Sequence, residues 1–361
     1  MHPRATTIHW FVLLTLSMLT FSTLLGCLGR RDRGGEVIEV EPVEMPAEAE
    51  RAIESVGCEA TLDARYLPGQ SITQSMSIDG KERSWIVRLP QNYDHQAAHP
   101  VIVVLHGGFG SGAQIQETTR FDPLADREGV IMVYPNGVPQ YPNMASDPLK
   151  IRTWNAGGCC GHAQSEEIDD VNALLRMLDQ VEATACVDRR RLYLTGFSNG
   201  AMMTYRMACE APERFAAMAP GGASVTLETC TPPRPTPLFH FHGLMDKNAP
   251  FEGGNGCGPG DTSALLPVPD VIADWHTMFG CQEGEEVTLL ETAEARCTSK
   301  AGCEDDVQLC VFPDGIHSWP GSAEKESPIR ECRGGEHVSS FSATEAIWEF
   351  FSGHELEVST P

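Results

Sequence analysis

The sequence predicts an α/β fold, a mainly parallel sheet with helices on both faces. Three observations predict it. From Ser84 onward, short runs rich in Val, Ile and Leu alternate with longer segments of helical period. The short runs are apolar at nearly every position, as strands covered on both faces must be. Clusters of Gly, Pro, Asn and Asp punctuate the joins. Strands are expected at Trp85–Leu89, Val101–Leu105, Val130–Tyr134, Leu192–Gly196, Phe215–Ala219, Leu238–His242 and Val307–Phe312. Helices are expected between them at Gln114–Arg127, Glu167–Ala185, Ala201–Glu210 and Val271–Phe279, with a last one at Ala343–Phe351. Gly253–Pro269, with five Gly and three Pro, reads as a loop.

The N-terminus reads as an export signal. Arg4 precedes a mostly apolar run, Ile8–Leu25, that closes on Gly26-Cys27. Leu24-Leu25-Gly26-Cys27 resembles a bacterial lipobox, so residues 1–26 are expected to be removed and Cys27 to be lipidated. An ordinary cleaved signal or an uncleaved anchor is the plainer alternative. Residues 27–56 are rich in Glu and almost free of aromatic side chains, the composition of a disordered acidic tether. Residues 57–361 then form the folded domain.

The 13 cysteines include Cys27; the remaining set is even and lacks C-x-x-C spacing. In an exported chain this pattern predicts disulfides rather than a structural metal site. Cys159 and Cys160 are expected to bond to distant partners. With 26 Lys+Arg against 50 Asp+Glu and a net charge of -24, the surface repels phosphate backbones and anionic headgroups. No nucleic-acid partner is therefore expected, and membrane contact is expected through the lipid alone.

The chemistry concentrates at the ends of the predicted strands. Leu192-Tyr193-Leu194-Thr195 runs into Gly196-Phe197-Ser198-Asn199-Gly200, and a helix follows. A serine on so sharp a strand-to-helix turn is lifted above the sheet, which makes Ser198 the candidate nucleophile. A hydroxyl needs a base, and the base needs an orienting acid. Asp246 follows the strand ending at His242, and His317 follows the strand ending at Phe312, in the order acid then histidine. The strand Val101–Leu105 opens into His106-Gly107-Gly108-Phe109-Gly110, where backbone amides can approach a ligand. The Asn199 amide, with that of Gly108 or Phe109, is expected to form an oxyanion hole. His106 is expected to fix loop geometry rather than move protons.

These stretches, together with Trp154-Asn155-Ala156-Gly157-Gly158-Cys159-Cys160-Gly161, Asp169-Asp170-Val171 and Gly315-Ile316-His317-Ser318-Trp319-Pro320-Gly321, resemble in order the motifs of the polyhydroxybutyrate depolymerase and feruloyl esterase group. That group is similar to carbohydrate esterase family 1. The resemblance spans roughly Ser71 to Phe351 and implies an α/β-hydrolase with Ser198, Asp246 and His317 as its triad and no cofactor or metal. The sequence departs from the family pattern at Leu244-Met245, where small residues are more common, and at Ala201, where the family often has a Gly. Trp154 and Trp319 are expected to line the acyl pocket, with mere packing as the plainer alternative.

Other residues invite plainer readings. Asp169 and Asp170 are placed to cap a helix. His240 and His242 share a strand face and are expected to be hydrogen-bonded core histidines. The sequence thus predicts an extracytoplasmic serine carboxylesterase whose substrate is a polysaccharide-linked ester or a hydroxyalkanoate oligomer. A serine peptidase on the same fold and an inactive surface-binding lipoprotein are the alternatives.

Overall fold

A computed structural model describes residues 37–41, 54–141, 151–257, 265–281, 283–303, 306–323, 332 and 334–356. Cys27 and the leader lie outside the described residues. In chain order the strands are β1 Val37–Glu39, β2 Ser71–Ile78, β3 Lys81–Arg88, β4 His99–Leu105, β5 Ile131–Pro135, β6 Val138–Pro139, β7 Arg152–Thr153, β8 Val187–Phe197, β9 Ala217–Gly221, β10 Leu238–Gly243, β11 Glu286–Glu291, β12 Arg296–Lys300 and β13 Val307–Phe312. The helices are α1 Gly112–Thr119, α2 Phe121–Glu128, α3 Gly161–Ser165, α4 Asp170–Thr184, α5 Asn199–Glu210, α6 Val268–Met278 and α7 Ala343–Ser352.

Eleven strands form one sheet in the order β1-β2-β3-β5-β4-β8-β9-β10-β13-β12-β11. From β5 to β13 every pairing is parallel. Antiparallel pairs flank this centre on both sides. Strand β4 shows why the centre forms. Val101, Val103 and Leu105 enter one core and Ile102 and Val104 the other, so alternation alone fills both layers. Helices α4, α5 and α6 close the first core; α1, α2 and α7 close the second. Each fully buried Val, Leu or Ile contributes about 1.5–3 kcal/mol.

All seven expected strands are present, Val307–Phe312 with its expected bounds and the other six with one or both ends shifted. The expected helix at Gln114–Arg127 is two helices, because Arg120 adopts a left-handed conformation (φ 54°, ψ 38°) between α1 and α2. The Thr119 carbonyl accepts from the Thr344 hydroxyl of α7 at 2.5 Å, and Phe121 turns fully into the core. The expectation of a wholly disordered tether is also corrected. Strand β1 pairs in parallel with β2 and buries Ile38. Ser55 is likewise docked: its hydroxyl donates to Ala185 O at 2.8 Å and accepts from Val187 N at 3.0 Å.

The twelve cysteines beyond Cys27 are all paired: Cys58–Cys186, Cys159–Cys160, Cys209–Cys230, Cys257–Cys332, Cys281–Cys303 and Cys297–Cys310. The neighbours Cys159 and Cys160 bond to each other across a cis peptide, not to distant partners as expected.

The register aligns the carboxyl ends of the central strands. Leu105 pairs with Gly196, Phe197 with Gly221, Phe241 with Gly221 and Gly243 with Phe312. The segments carrying Gly108, Ser198, Asp246 and His317 therefore all leave the sheet at one edge, where ligands bind in open α/β sheets.

Candidate active site

Ser198 follows β8 directly and caps α5 with φ 57° and ψ −123°, a conformation that side chains rarely adopt. Close packing enforces it. A β-carbon on Gly196 would collide with the carbonyl of Gly200, and one on Gly200 with the carbonyls of Leu105 and His106. The Ser198 amide donates to Gly221 O at 2.9 Å, and its carbonyl receives Met202 N at 3.0 Å. The hydroxyl-bearing turn is therefore fixed before any substrate arrives.

Asp246 is buried just past β10, and both its oxygens are engaged. Oδ1 accepts from the amides of Asn248 (2.8 Å) and Ala249 (2.9 Å), and Oδ2 accepts from His317 Nδ1 at 2.6 Å. Burial alone would raise the pKa of this carboxyl. The His317 imidazole and these hydrogen bonds outweigh burial and hold it below the usual carboxylate range. His317 packs its ring on Phe197, the residue before Ser198, with centroids 4.8 Å apart. Its loop is braced by His337, whose Nε2 donates to Ser322 O at 2.7 Å and whose Nδ1 accepts from Ser318 Oγ at 3.1 Å. An imidazole whose Nδ1–H is held by a carboxylate keeps its Nε2 lone pair for a proton from elsewhere.

The turn after β4 lies against the serine. A β-carbon at Gly107 would lie 3.2 Å from Ser198 Cβ, and one at Gly108 would lie 3.6 Å from Asn199 Cβ. The Phe109 amide donates to Arg152 O at 2.8 Å, so it is not an open donor, and the expectation that left it as an alternative is corrected. Among the described residues the Gly108 amide has no acceptor. The Asn199 amide opens α5, where the first N–H groups lack helical partners. The Phe109 backbone is left-handed (φ 64°) and the residue is 47% exposed.

His106 behaves as expected of a structural group. Burial pushes its pKa down to about 4, its Nδ1 donates to Gly107 O at 2.8 Å, and its Nε2 accepts from Gly137 N at 3.0 Å. Trp154 and Trp319 require correction. Trp154 is fully buried; its Nε1 donates to His106 O (3.0 Å), and its backbone is clasped by both ends of the Asn199 amide. Trp319 is buried among Phe121, Phe197 and Phe241 and donates to Thr344 Oγ1 at 3.1 Å. Neither indole offers a face to a substrate. The apolar side chains left exposed beside these turns are Phe109, Leu244 and Met245, which residue type alone did not single out as a group.

Asp169 caps α4, accepting from Asn172 N at 2.9 Å, but Asp170 does something else. Fully buried, it pairs with Arg83 (2.5 Å) and accepts from Asn155 N (2.7 Å), fastening the loop after Trp154 to β3.

Residues 84–230 match the family model described as esterase PHB depolymerase. Feruloyl esterase B of Piromyces equi is 28% identical over 243 residues, covering 65% of this chain and 42% of that protein. Over these stretches the chain is similar to the polyhydroxybutyrate depolymerase and feruloyl esterase group. Probable feruloyl esterase C of Aspergillus clavatus, another relative, is 28% identical over 275 residues, 74% of this chain and 83% of that one. This chain thus spans less than half of the Piromyces protein. A solved thermostable esterase superposes with a TM-score of 0.51 at 13% identity, over 79% of this chain and 63% of that one, and fixes the fold as α/β-hydrolase. The family match contains Gly108 and Ser198 but stops before Asp246 and His317, so the geometry alone speaks for the last two.

Proposed function

We propose that the protein is an exported carboxylic ester hydrolase that works through an acyl-enzyme. Ser198 attacks the ester carbonyl, His317 takes its proton and returns it to the leaving alcohol, and Asp246 orients the imidazole. The amides of Asn199 and Gly108 receive the developing oxyanion, helped by the positive end of α5. Water then repeats the sequence and frees the acid. The observation that carries this reading is the 2.6 Å Asp246–His317 pair packed on the residue before a serine with positive φ.

The names of the relatives favour hydroxycinnamoyl and other esters of plant polysaccharide fragments, with hydroxybutyrate oligomers as the competing class. With both tryptophans buried, the aromatic face available to an acyl group is Phe109. Six disulfides support export, and Cys27 is the proposed lipid site. Hydrolysis of methyl ferulate, an acetylated xylan fragment and a hydroxybutyrate trimer, each with wild type and Ser198→Ala, tests the activity. Ester turnover that survives in Ser198→Ala would refute it. Mass spectrometry of the mature N-terminus tests lipidation, which an unmodified Cys27 would refute.

A further inference from the structure

Behind Asp246 lies a buried line of polar side chains that the reaction above does not use. Tyr205 projects from α5, the helix that Ser198 caps; His240 and His242 stand two apart on β10. Tyr205, His240 and His242 are all essentially without solvent contact. Tyr205 Oη lies 2.7 Å from His240 Nδ1, and His240 Nε2 lies 3.1 Å from His242 Nδ1. His242 Nε2 lies 2.8 Å from the carbonyl of Ala249 and 3.5 Å from Asp246 Oδ2. The line thus starts on the helix of the nucleophile and ends in the turn of the acid.

The direction of every hydrogen bond in it follows from one fact: a carbonyl oxygen only accepts. His242 must therefore carry its proton on Nε2 and donate to Ala249 O. Burial pushes both histidines well toward the neutral form, so His242 Nδ1 is a lone pair. His240 must then donate from Nε2, which leaves its Nδ1 to accept the Tyr205 hydroxyl. Each N–H or O–H points toward Asp246, and the last one goes to Ala249 O, with the carboxylate 3.5 Å from the same nitrogen. The Ala249 amide in turn donates to Asp246 Oδ1. The titratable groups facing the pair are Tyr205 on α5, Asp246 on the following turn and His317 beyond it.

We propose that Tyr205, His240 and His242 are positioning residues, a one-way hydrogen-bonded brace that locks the Asp246–Ala249 turn in register with the helix of Ser198. The proposal rests on the reading of Asp246 as the acid that orients His317. No proton moves along the brace. Its work is to hold the His242 N–H on the Ala249 carbonyl beside the acid. Without the Tyr205 hydroxyl, the buried lone pair of His240 Nδ1 has no donor, and the line that ties His242 to α5 loses its anchor. The Asp246–Ala249 turn is then freer to shift, which loosens the Asp246–His317 bond. Neither histidine touches the substrate, so the loss falls on kcat and not on KM.

The test compares Tyr205→Phe, His242→Gln and His242→Leu in the full chain. Gln places a donor where Nε2 stood; Leu removes it at similar volume. Tyr205→Phe and His242→Leu are expected to lower kcat on a short aryl ester about tenfold or more with KM nearly unchanged, while His242→Gln stays within about threefold of wild type. The downfield proton resonance of His317 Nδ1–H should move upfield in the two impaired variants and hold its place in His242→Gln. Nitrogen NMR of the wild type, which needs no variant to fold, should show both His240 and His242 neutral and protonated at Nε2. Wild-type kinetics and an unmoved resonance in Tyr205→Phe, or a His242 protonated at Nδ1, would overturn the brace. A wild type that turns over no ester would instead overturn the esterase reading, and the two NMR readouts would still decide the brace.

Discussion

The turns that carry Ser198 and Asp246 leave the same edge of the sheet two strands apart, yet they are held by different physics. The serine turn is held by close packing. Its glycines sit where any β-carbon would strike backbone, and Ser198 itself is held by main-chain hydrogen bonds. The acid turn is held by side chains: two amides on Oδ1, an imidazole on Oδ2, and a buried histidine on the Ala249 carbonyl. Packing is indifferent to protonation; a hydrogen-bonded side-chain network is not. The first turn should therefore fail by unfolding locally, and the second by losing activity within an intact fold.

Substitutions at the two turns should separate these modes. Asp246→Asn is expected to lower kcat on an aryl ester by about 10⁴, as an amide favours the wrong imidazole tautomer, while thermal melting changes little. Wild-type turnover in that variant would move the acid elsewhere. Gly200→Ala should act the other way round. Its β-carbon meets the carbonyls of Leu105 and His106, and a loss of at least about 2 kcal/mol in denaturant melting should accompany the loss of activity. Unchanged stability would mean that the turn is not sterically fixed.

The pH dependence of stability should come from the polar side of the comparison. The pKa of His106 is pushed down to about 4, and those of His240 and His242 also fall with burial. Unfolding lets all three take up protons near pH 6.5, so stability is full above that value and falls as pH drops toward the folded values. Asp246, lowered in the fold, adds a loss at still lower pH. The melting temperature should therefore decline steadily from pH 7 to pH 5; a flat profile would contradict neutral buried histidines.

Smaller effects sharpen the picture of the tryptophans. Trp154→Phe removes the donor to His106 O while keeping an aromatic ring, and should cost about 1–3 kcal/mol of stability with KM for methyl ferulate nearly unchanged. A large rise in KM would return Trp154 to the substrate pocket. Asp169→Ala removes only a helix cap and should cost about 1 kcal/mol, with no change in turnover.

The same contrast explains what was legible in the sequence. The central strands, the serine turn and the order of acid and histidine follow from local pattern, because both-face burial and a Gly-x-Ser-x-Gly turn leave their marks within a few residues. The strands β2, β11 and β12 were not legible. Ser71–Ile78 alternates Ser, Thr and Gln with apolar residues at an outer position of the sheet, and every residue of Glu286–Glu291 is exposed. The break at Arg120 depends on a hydroxyl from α7 more than 200 residues later. The tryptophans stand beside these turns along the chain, but the side of the loop they pack against is set by Asn199, His106 and Thr344. The brace behind Asp246 joins two elements whose spacing in the chain carries no signature.

The measurement that reaches the central claim most directly is labelling by a fluorophosphonate, followed by mapping of the modified peptide. A single modified residue, Ser198, is expected in the wild type, with labelling slowed at least about a thousandfold in His317→Ala, because the hydroxyl then lacks its base. A label on another residue, or equal labelling rates in wild type and His317→Ala, would contradict it.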